Sequence, residues 1–270
     1  MKQNPIGIFY SGIGGLTVLR EITRLLPGEE TIYLGDTARV PYGSKSRETV
    51  LRYSREVAAF LLKHDVKMIV AACNTASAYA VKELSSELDI PVTGVIEPGA
   101  RAACAATKAG RIGVIGTAGT VKSGAYVAAI RAIDPNIETF VKACPLFVPL
   151  VEEGWADDTV TTAIAERYLK ELIDAGIDTL VLGCTHYPLL KKTIAEVAGP
   201  GITLIDSAAS TGAEVARVLK EKDMLRDGPV SQHDAHRFFV TDSPETFTAV
   251  GSRFFGGGLE KASLAQLTDC

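Results

Sequence analysis

Short apolar runs alternate along this chain with longer segments in which apolar residues recur at helical spacing. Strands are predicted near residues 6–9, 31–35, 68–73, 92–95, 111–116, 139–144, 179–184, 202–206 and 237–241. Helices are predicted near 15–26, 46–64, 76–88, 119–132, 157–175 and 208–222. The alternation is typical of a mostly parallel sheet with helices on both faces, so it predicts an α/β fold. With 270 residues, the chain can form one large domain or two smaller ones.

Two of the predicted strand ends resemble each other. Residues 68–75 read M-I-V-A-A-C-N-T and residues 179–186 read T-L-V-L-G-C-T-H, while upstream residues 6–11 resemble residues 112–117. Two similar α/β lobes related by pseudo-twofold symmetry explain both matches. Each lobe would then place one cysteine at the carboxyl end of a parallel strand, where open α/β sheets bind ligands, and we expect the active site in the cleft between the lobes. The alternative is that buried parallel strands resemble one another by composition alone.

Charge and hydropathy exclude several classes of protein. The formal net charge is −4 and the isoelectric point is about 5.7, which argues against binding to nucleic acid or to an anionic membrane. No export signal is recognisable at the amino terminus, and no apolar run approaches the roughly 20 residues that span a bilayer. We therefore expect a cytoplasmic protein.

The five cysteines do not have the spacing of a disulfide framework or of a zinc site. Their number is odd, none forms a C-x-x-C pair, and the four histidines do not fall at zinc-finger spacing around them. We expect Cys104 and Cys144 to be core or near-surface residues and Cys270 to be a terminal thiol. No metal is predicted, and Cys73 and Cys184 are the thiols to which we assign chemistry.

Polar residues follow both of these cysteines: Asn74 and Thr75 after the first, Thr185 and His186 after the second. Such groups can bind the carboxylate and ammonium of an amino acid. Inversion at an α-carbon needs a base on one face and an acid on the other, which two opposed thiols provide. The pattern therefore predicts a cofactor-independent amino-acid racemase in which His186 exchanges or orients a proton.

Two loops rich in glycine and polar residues follow the first two predicted strands. Residues 11–15 read S-G-I-G-G, which is not a dinucleotide fingerprint and better suits the carboxylate of a substrate at a helix N-terminus. Residues 35–43 read G-D-T-A-R-V-P-Y-G and are interpreted as a loop that rims the cleft, with an ordinary surface loop as the alternative.

Together these segments resemble the glutamate racemase family of bacterial cell-wall synthesis. The resemblance runs from Pro5 to about Phe255 and rests on ordered blocks: S-G-I-G-G-L-T-V at 11–18, G-D-T-A-R-V-P-Y-G at 35–43, A-C-N-T-A-S at 72–77, G-V-I-E-P-G at 94–99, C-P-L-F-V-P-L-V-E-E-G at 144–154 and G-C-T-H-Y-P-L-L at 183–190. It implies interconversion of L- and D-glutamate without pyridoxal phosphate or any other cofactor, a supply of D-glutamate for peptidoglycan, and a homodimer. It also implies a discontinuous first lobe, residues 1–95 and 207–270, around a second lobe at 96–206.

The resemblance further implies roles for individual residues. Cys73 and Cys184 would be the two proton carriers, assisted by His186. The residues expected to bind substrate or to line the site are Tyr10, Ser11, Pro41, Tyr42, Gly43, Asn74, Thr75, Thr117, Thr120, Thr185 and His186.

The chain departs from the family pattern at one position. Where the family has F-D-S-G, residues 9–12 read F-Y-S-G, so Tyr10 stands where a carboxylate is expected beside the substrate ammonium and Cys73. A tyrosine is neutral at pH 7 and cannot supply that charge. Three interpretations remain: a weakened or inactive racemase, an active enzyme in which Tyr10 rotates away or donates a hydrogen bond, and a changed residue.

Three other functions remain as alternatives. The first is a racemase of aspartate or another small amino acid, and the second is a catalytically impaired homologue that only binds an amino acid. The third, a zinc hydrolase that uses Cys184 and His186, lacks a third ligand at useful spacing.

Overall fold

The computed structural model describes residues 2–228, 235–257, 259 and 261–267. Cys270 therefore lies outside the described residues. By their contacts the residues form two compact units, Met1–Val95 with Thr211–Cys270 and Ile96–Ser210. The chain thus returns to the first unit at residue 211, four residues later than the boundary predicted after residue 206.

The first unit contains a parallel sheet with strand order β10-β9-β2-β1-β3-β4. The strands are β1 (Ile6–Tyr10), β2 (Thr31–Gly35), β3 (Met68–Ala71), β4 (Val92–Gly94), β9 (His236–Val240) and β10 (Ser263–Leu264). Its helices are α1 (Leu16–Leu25), α2 (Arg47–Leu62), α3 (Asn74–Glu87), α10 (Ser207–Glu221), which crosses the unit boundary, and α11 (Pro244–Phe255). Two short 3₁₀ turns, Thr37–Arg39 and Tyr42–Ser44, follow β2.

The second unit contains a four-stranded parallel sheet with strand order β6-β5-β7-β8. The strands are β5 (Arg111–Gly116), β6 (Glu138–Ala143), β7 (Thr179–Gly183) and β8 (Thr203–Asp206). The helices are α4 (Ile96–Ala106), α5 (Ala118–Ser123), α6 (Ala125–Ile133), α7 (Phe147–Glu152), α8 (Thr159–Asp174) and α9 (Lys191–Ala198), with a 3₁₀ turn at Tyr187–Leu190. The predicted parallel α/β class with two lobes is confirmed.

Local sequence accounts for most of these elements. Every residue of β1, β2, β3 and β7 is buried, because helices cover both faces of a parallel sheet. Helix α2 begins after Ser46, whose hydroxyl accepts a hydrogen bond from the Thr49 amide at 3.3 Å. None of the described helices is long and apolar enough to cross a membrane.

The structure corrects several predicted elements. The helix predicted at 119–132 is two helices, because Gly124 adopts a left-handed conformation (φ 66°) that ends α5 and starts α6. The strands predicted to reach residues 73 and 184 end at Ala71 and Gly183, so neither cysteine is part of a strand. Helices α4, α7, α9 and α11 were not predicted; α4 and α7 carry internal prolines, which weaken a helical signal.

Candidate active site

Cys73 lies between the end of β3 and the first turn of α3, as the residue that caps this helix. Its side chain is buried. Burial raises the pKa of the Cys73 thiol, while hydrogen bonds from the amides of Ala76 and Thr75 and from the hydroxyl and amide of Ser11 act in the opposite direction. These groups belong to two segments, the first turn of α3 and the residue after β1, and they oppose the effect of burial without cancelling it.

Sheet register explains why Ser11 meets Cys73. Strands β1 and β3 are hydrogen-bonded neighbours, with Phe9 opposite Ala71 and the Ala72 amide donating to the Phe9 carbonyl at 2.9 Å. The backbone leaves the sheet at the same edge after both strands, so the residues that follow β1 and β3 lie close together. Asn74 and Thr75, the first two residues of α3, are buried in the same region.

Tyr10 ends β1 immediately before Ser11 and is 7% exposed. A side chain at Gly15 would come within 2.5 Å of the Tyr10 Cβ and 2.9 Å of its Cγ. The base of the Tyr10 side chain therefore occupies the space beside the start of α1, and only glycine fits at position 15. Tyr10 brings no negative charge to this strand end.

Asp36 organises the loop after β2, and the sequence interpretation did not single it out. Its carboxylate is fully buried and accepts hydrogen bonds from the Tyr42 hydroxyl at 2.5 Å, the Arg39 guanidinium at 2.7 Å and the Thr241 hydroxyl at 3.0 Å. Arg39 also pairs with Glu56. An aspartate directly after an apolar strand was the available signal.

This network keeps the Tyr42 phenol protonated. Burial and the neighbouring Asp36 carboxylate raise the pKa of Tyr42 far above its usual range, and Cys73 adds to the shift. Tyr42 is therefore a neutral hydrogen-bond donor in the interior. Of the other residues predicted in this loop, Gly43 is half-buried and Pro41 is exposed.

In the second unit, Cys184 follows β7 and is buried beside a histidine. Its sulfur lies 3.9 Å from His186 Nδ1, and His186 Nε2 lies 3.1 Å from Glu152 Oε1. In the tautomer whose Nε2 hydrogen is donated to the Glu152 carboxylate, Nδ1 is the ring nitrogen that can accept a hydrogen from the thiol. This thiol–imidazole–carboxylate chain is suited to remove a proton from Cys184.

Glu152 is the second residue that the sequence interpretation missed. It ends α7, and its side chain is half-exposed, whereas His186 is almost fully buried. The carboxylate was present in the block at 144–154, but nothing in that block indicates which of two adjacent glutamates reaches the imidazole.

Thr117 and Thr120 stand beside the Cys184 strand end. Strands β5 and β7 are paired with Gly116 opposite Gly183, so Thr117 and Cys184 leave adjacent strands at the same level. Thr117 caps α5, and its hydroxyl oxygen lies 3.1 Å from that of Thr120. Thr185 is buried next to Cys184.

The remaining described cysteines have different surroundings. Cys144 is fully buried and its pKa is raised to about 12, chiefly by burial, so it stays a thiol at neutral pH. Cys104 is half-buried, and burial raises its pKa as well. Among the described residues, no group of three or more His, Cys, Asp or Glu side chains is arranged to hold a metal ion.

Each unit thus gathers its own half of the predicted site, one with Tyr10, Ser11, Tyr42, Cys73, Asn74 and Thr75, the other with Thr117, Thr120, Cys184, Thr185 and His186. Fold and strand-end thiols define a class: parallel α/β enzymes that carry a buried cysteine after a central strand of each of two sheets. A family model described as Asp/Glu/Hydantoin racemase matches residues 7–215. The chain belongs to the Asp/Glu/Hydantoin racemase family.

Four individual proteins that resemble the chain over nearly its whole length are glutamate racemases. The chain is 57% identical to a glutamate racemase of Geobacter metallireducens, over 96% of this chain and 95% of the relative. It is 47% identical to a glutamate racemase of Syntrophus aciditrophicus over 98% of both chains. Among solved structures, a glutamate racemase isoform from Bacillus anthracis matches with TM-score 0.94 and 41% identity over 99% of both chains. The glutamate racemase of Francisella tularensis, in complex with D-glutamate, matches with TM-score 0.91 and 37% identity over 98% of both chains.

Proposed function

We propose that this protein is an isomerase that interconverts L- and D-glutamate without pyridoxal phosphate, with Cys73 and Cys184 as the two proton carriers. The observation that carries the proposal is the matched placement of the two thiols, each buried after a parallel strand and each with polar partners of its own. The named relatives support glutamate rather than aspartate as the substrate.

The proposed reaction needs one thiolate and one thiol in each direction. One thiolate takes the α-hydrogen of glutamate as a proton and leaves the electron pair on the α-carbon, conjugated with the carboxylate. The other thiol then donates its proton to the opposite face of that carbon. The product is the other enantiomer, and the protonation states of the thiols are exchanged.

The two halves stabilise a thiolate in different ways. At Cys73, the amides of Thr75 and Ala76 and the Ser11 hydroxyl lower the pKa of the thiol against the larger effect of burial. At Cys184, Nδ1 of His186 accepts the thiol proton, and Glu152 holds the imidazole in the required orientation and stabilises its charged form. Cys184 therefore has a dedicated proton acceptor, whereas Cys73 relies on hydrogen-bond donors.

Hydroxyl and amide groups around the thiols supply the contacts for substrate. Ser11, Asn74, Thr75, Thr117, Thr120 and Thr185 offer groups of the kind that bind a carboxylate or an ammonium. The loop after β2 contributes Pro41, Tyr42 and Gly43. In this loop the Asp36 carboxylate accepts a hydrogen bond from the Tyr42 phenol and so holds it in place. Tyr10 ends the neighbouring strand β1, and its neutrality favours a weakened half-reaction at Cys73.

In the cell, we propose that the product D-glutamate is used for peptidoglycan synthesis. The protein would act in the cytoplasm as a homodimer, without a nucleic-acid partner. A second candidate function is binding of an amino acid without turnover. It is kept because Tyr10 replaces the carboxylate that the family pattern places beside Cys73.

Racemisation kinetics in both directions test the proposal. We expect Cys73→Ala and Cys184→Ala to lose racemisation, while the control Cys104→Ala, a half-buried thiol outside the proposed pair, keeps it. In deuterium oxide, each of the two inactive variants should exchange the α-hydrogen of one enantiomer only, because a single base reaches one face. Racemisation by either variant refutes the two-base assignment. Turnover of aspartate but not of glutamate would identify a racemase of a different amino acid. Binding of glutamate without exchange of its α-hydrogen in the unmodified protein would identify a homologue that only binds the amino acid.

A further inference from the structure

Tyr33 is a fully buried tyrosine in the middle of β2, and the proposed reaction does not use it. Its hydroxyl donates a hydrogen bond to the Gly12 carbonyl at 2.9 Å. Its ring packs against Phe238 and Phe247, with the ring centroids 6.3 and 5.7 Å away. A phenylalanine at this position would make the same ring contacts. The hydroxyl is therefore the part of Tyr33 that the packing of the core does not explain.

This hydroxyl contacts the glycine-rich turn at residues 11–15, which follows β1, at two places. Besides the Gly12 carbonyl, it meets Gly15, where a Cβ would lie 2.8 Å from the phenol oxygen. Burial raises the pKa of the Tyr33 phenol well above its usual range, Cys73 adds to this shift, and a backbone hydrogen bond from Gly15 acts in the opposite direction. The phenol is thus a neutral hydroxyl that donates to the backbone at residue 12 and accepts from the backbone at residue 15.

The close fit around the turn depends on glycine. A Cβ at Gly35 would lie 2.8 Å from the Gly12 carbonyl oxygen, and a Cβ at Gly15 would lie 2.5 Å from the Tyr10 Cβ. Gly12 and Gly15 are themselves buried. A buried carbonyl or amide that loses its partner is destabilised, because water does not replace the lost hydrogen bond. Without the Tyr33 hydroxyl, the turn would have to change shape to find other partners.

The turn begins with Ser11, which connects it to the proposed proton carrier of this unit. Burial raises the pKa of the Cys73 thiol, and the hydroxyl and the amide of Ser11 are among the groups that lower it. Both Ser11 groups must stay within hydrogen-bonding distance of the sulfur to have this effect. Because Ser11 directly precedes Gly12, a hydrogen bond that holds the Gly12 backbone also restrains Ser11.

We propose that Tyr33 is a positioning residue for the Cys73 half-site, because its hydroxyl holds the 11–15 turn in the shape that sets Ser11 beside the Cys73 sulfur. Tyr33 acts through the turn and not on the substrate itself. This inference rests on the proposed role of Cys73 as a proton carrier. Cys184 has His186 as its own partner in the other unit, so the effect of Tyr33 belongs to the half-reaction at Cys73.

Amide hydrogen exchange, read by mass spectrometry of peptides, tests the turn without any need for activity. Tyr33→Phe removes the hydroxyl and keeps the ring. Tyr187→Phe is the matched control, since Tyr187 is also fully buried and its hydroxyl donates to the Cys144 carbonyl at 2.9 Å, but in the second unit. We expect the peptide that covers residues 11–18 to exchange about tenfold or more faster in Tyr33→Phe and at the wild-type rate in Tyr187→Phe. Wild-type exchange in peptides of the second unit reports that the Tyr33 variant is folded.

Kinetic isotope effects test the link to Cys73. The two enantiomers have equal free energies in solution, so kcat/KM must fall by the same factor in both directions, and we expect a fall of about tenfold. The primary isotope effect of α-deuterated glutamate on kcat/KM distinguishes the directions. It should rise for the enantiomer whose α-hydrogen Cys73 removes and fall for the other, because proton transfer at Cys73 becomes the slower step. The Cys184→Ala variant identifies that enantiomer as the one whose α-hydrogen it still exchanges with solvent.

The outcomes separate the role of Tyr33 from the proposed function. Unchanged amide exchange at residues 11–18 in Tyr33→Phe overturns the proposal, whether or not the protein is active. A loss of kcat/KM with isotope effects that stay the same or change alike in both directions also overturns it, because Tyr33 would then support the fold as a whole. A wild type that neither racemises glutamate nor exchanges its α-hydrogen overturns the proposed function, and with it the catalytic meaning of the turn.

Discussion

The imidazole of His186 lies 3.1 Å from the carboxylate of Glu152, with its other ring nitrogen directed toward the Cys184 sulfur. This contact connects the end of α7 to the loop after β7. A carboxylate at this place favours the tautomer with hydrogen on Nε2, which leaves Nδ1 to take a proton from the thiol.

Glu152→Gln should lower kcat by about 10- to 100-fold, because an amide neither fixes the imidazole tautomer nor stabilises the imidazolium. Glu153→Gln is the matched control, an exposed glutamate one residue further on, and should leave kcat within about twofold of wild type. Steady-state kinetics in both directions measure the effect. An equal loss of kcat in the two variants would mean that Glu152 contributes only one negative charge to this surface and does not act through its contact with His186.

Tyr10→Asp should raise kcat for at least one enantiomer by about tenfold or more, since it restores a carboxylate beside the Cys73 half-site. Tyr10→Phe separates charge from size, because it keeps the ring without adding a carboxylate, and it should not raise kcat. The measurement is racemisation from each enantiomer. An unchanged kcat in the aspartate variant would show that the missing carboxylate does not limit turnover.

Asp36→Asn should lower the free energy of unfolding by about 1–3 kcal/mol, because the buried network of Arg39, Tyr42 and Thr241 loses its charged acceptor. It should also raise KM, since Tyr42 is no longer held. Asp242→Asn, an exposed aspartate at the same end of β9, serves as the control. Denaturant unfolding and kinetics measure the two effects. Wild-type stability in the Asp36 variant would contradict the network.

Asp178 should make the stability of the protein depend on pH in the acid range. Burial would raise its pKa, but hydrogen bonds from the Thr107 hydroxyl and from the amides of Ala109 and Lys108 outweigh burial and lower the pKa from 3.8 to about 2. Because the folded state has the lower pKa, the stabilisation is fully present above about pH 4 and is lost as the pH falls toward 2.

The stability difference between wild type and Asp178→Asn should therefore shrink as the pH falls from about 4 to 2. Thermal unfolding across this range measures the difference, with Asp174→Asn, an exposed carboxylate on α8, as the reference. If the stability difference between wild type and Asp178→Asn did not change with pH, the effect of the substitution would not come from ionisation of Asp178.

Gly183→Ala should destabilise the second unit by about 1–3 kcal/mol, the usual cost of overpacking. A Cβ at this position would lie 2.6 Å from the Ile115 carbonyl oxygen and 3.1 Å from the Tyr126 ring. Gly201→Ala is the control, because its Cβ would have no neighbour within 4 Å. Unfolding transitions compare the two. Equal stability of both variants would contradict the close packing behind Cys184.

The sequence by itself determined the α/β class, the central strands and the position of both thiols at strand ends. These features depend on local order: an apolar run defines a strand buried on both faces, and the residue after it leaves the sheet at a fixed edge. The family resemblance then supplied the proposed reaction. The break at Gly124 was not predicted in this way, because only its left-handed backbone conformation in the structure shows that residues 118–133 form two helices.

Only the tertiary structure decided which distant residues complete each half of the site. Glu152 meets His186 across 34 positions of the chain, and Thr241 meets Asp36 across 205. Such contacts depend on which strands become neighbours and in what register, and that is set by packing of the whole sheet rather than by any local pattern. The same holds for the hydroxyl of Tyr33, because an apolar run predicts its strand, but only the pairing of β1 with β2 brings it to the turn after β1.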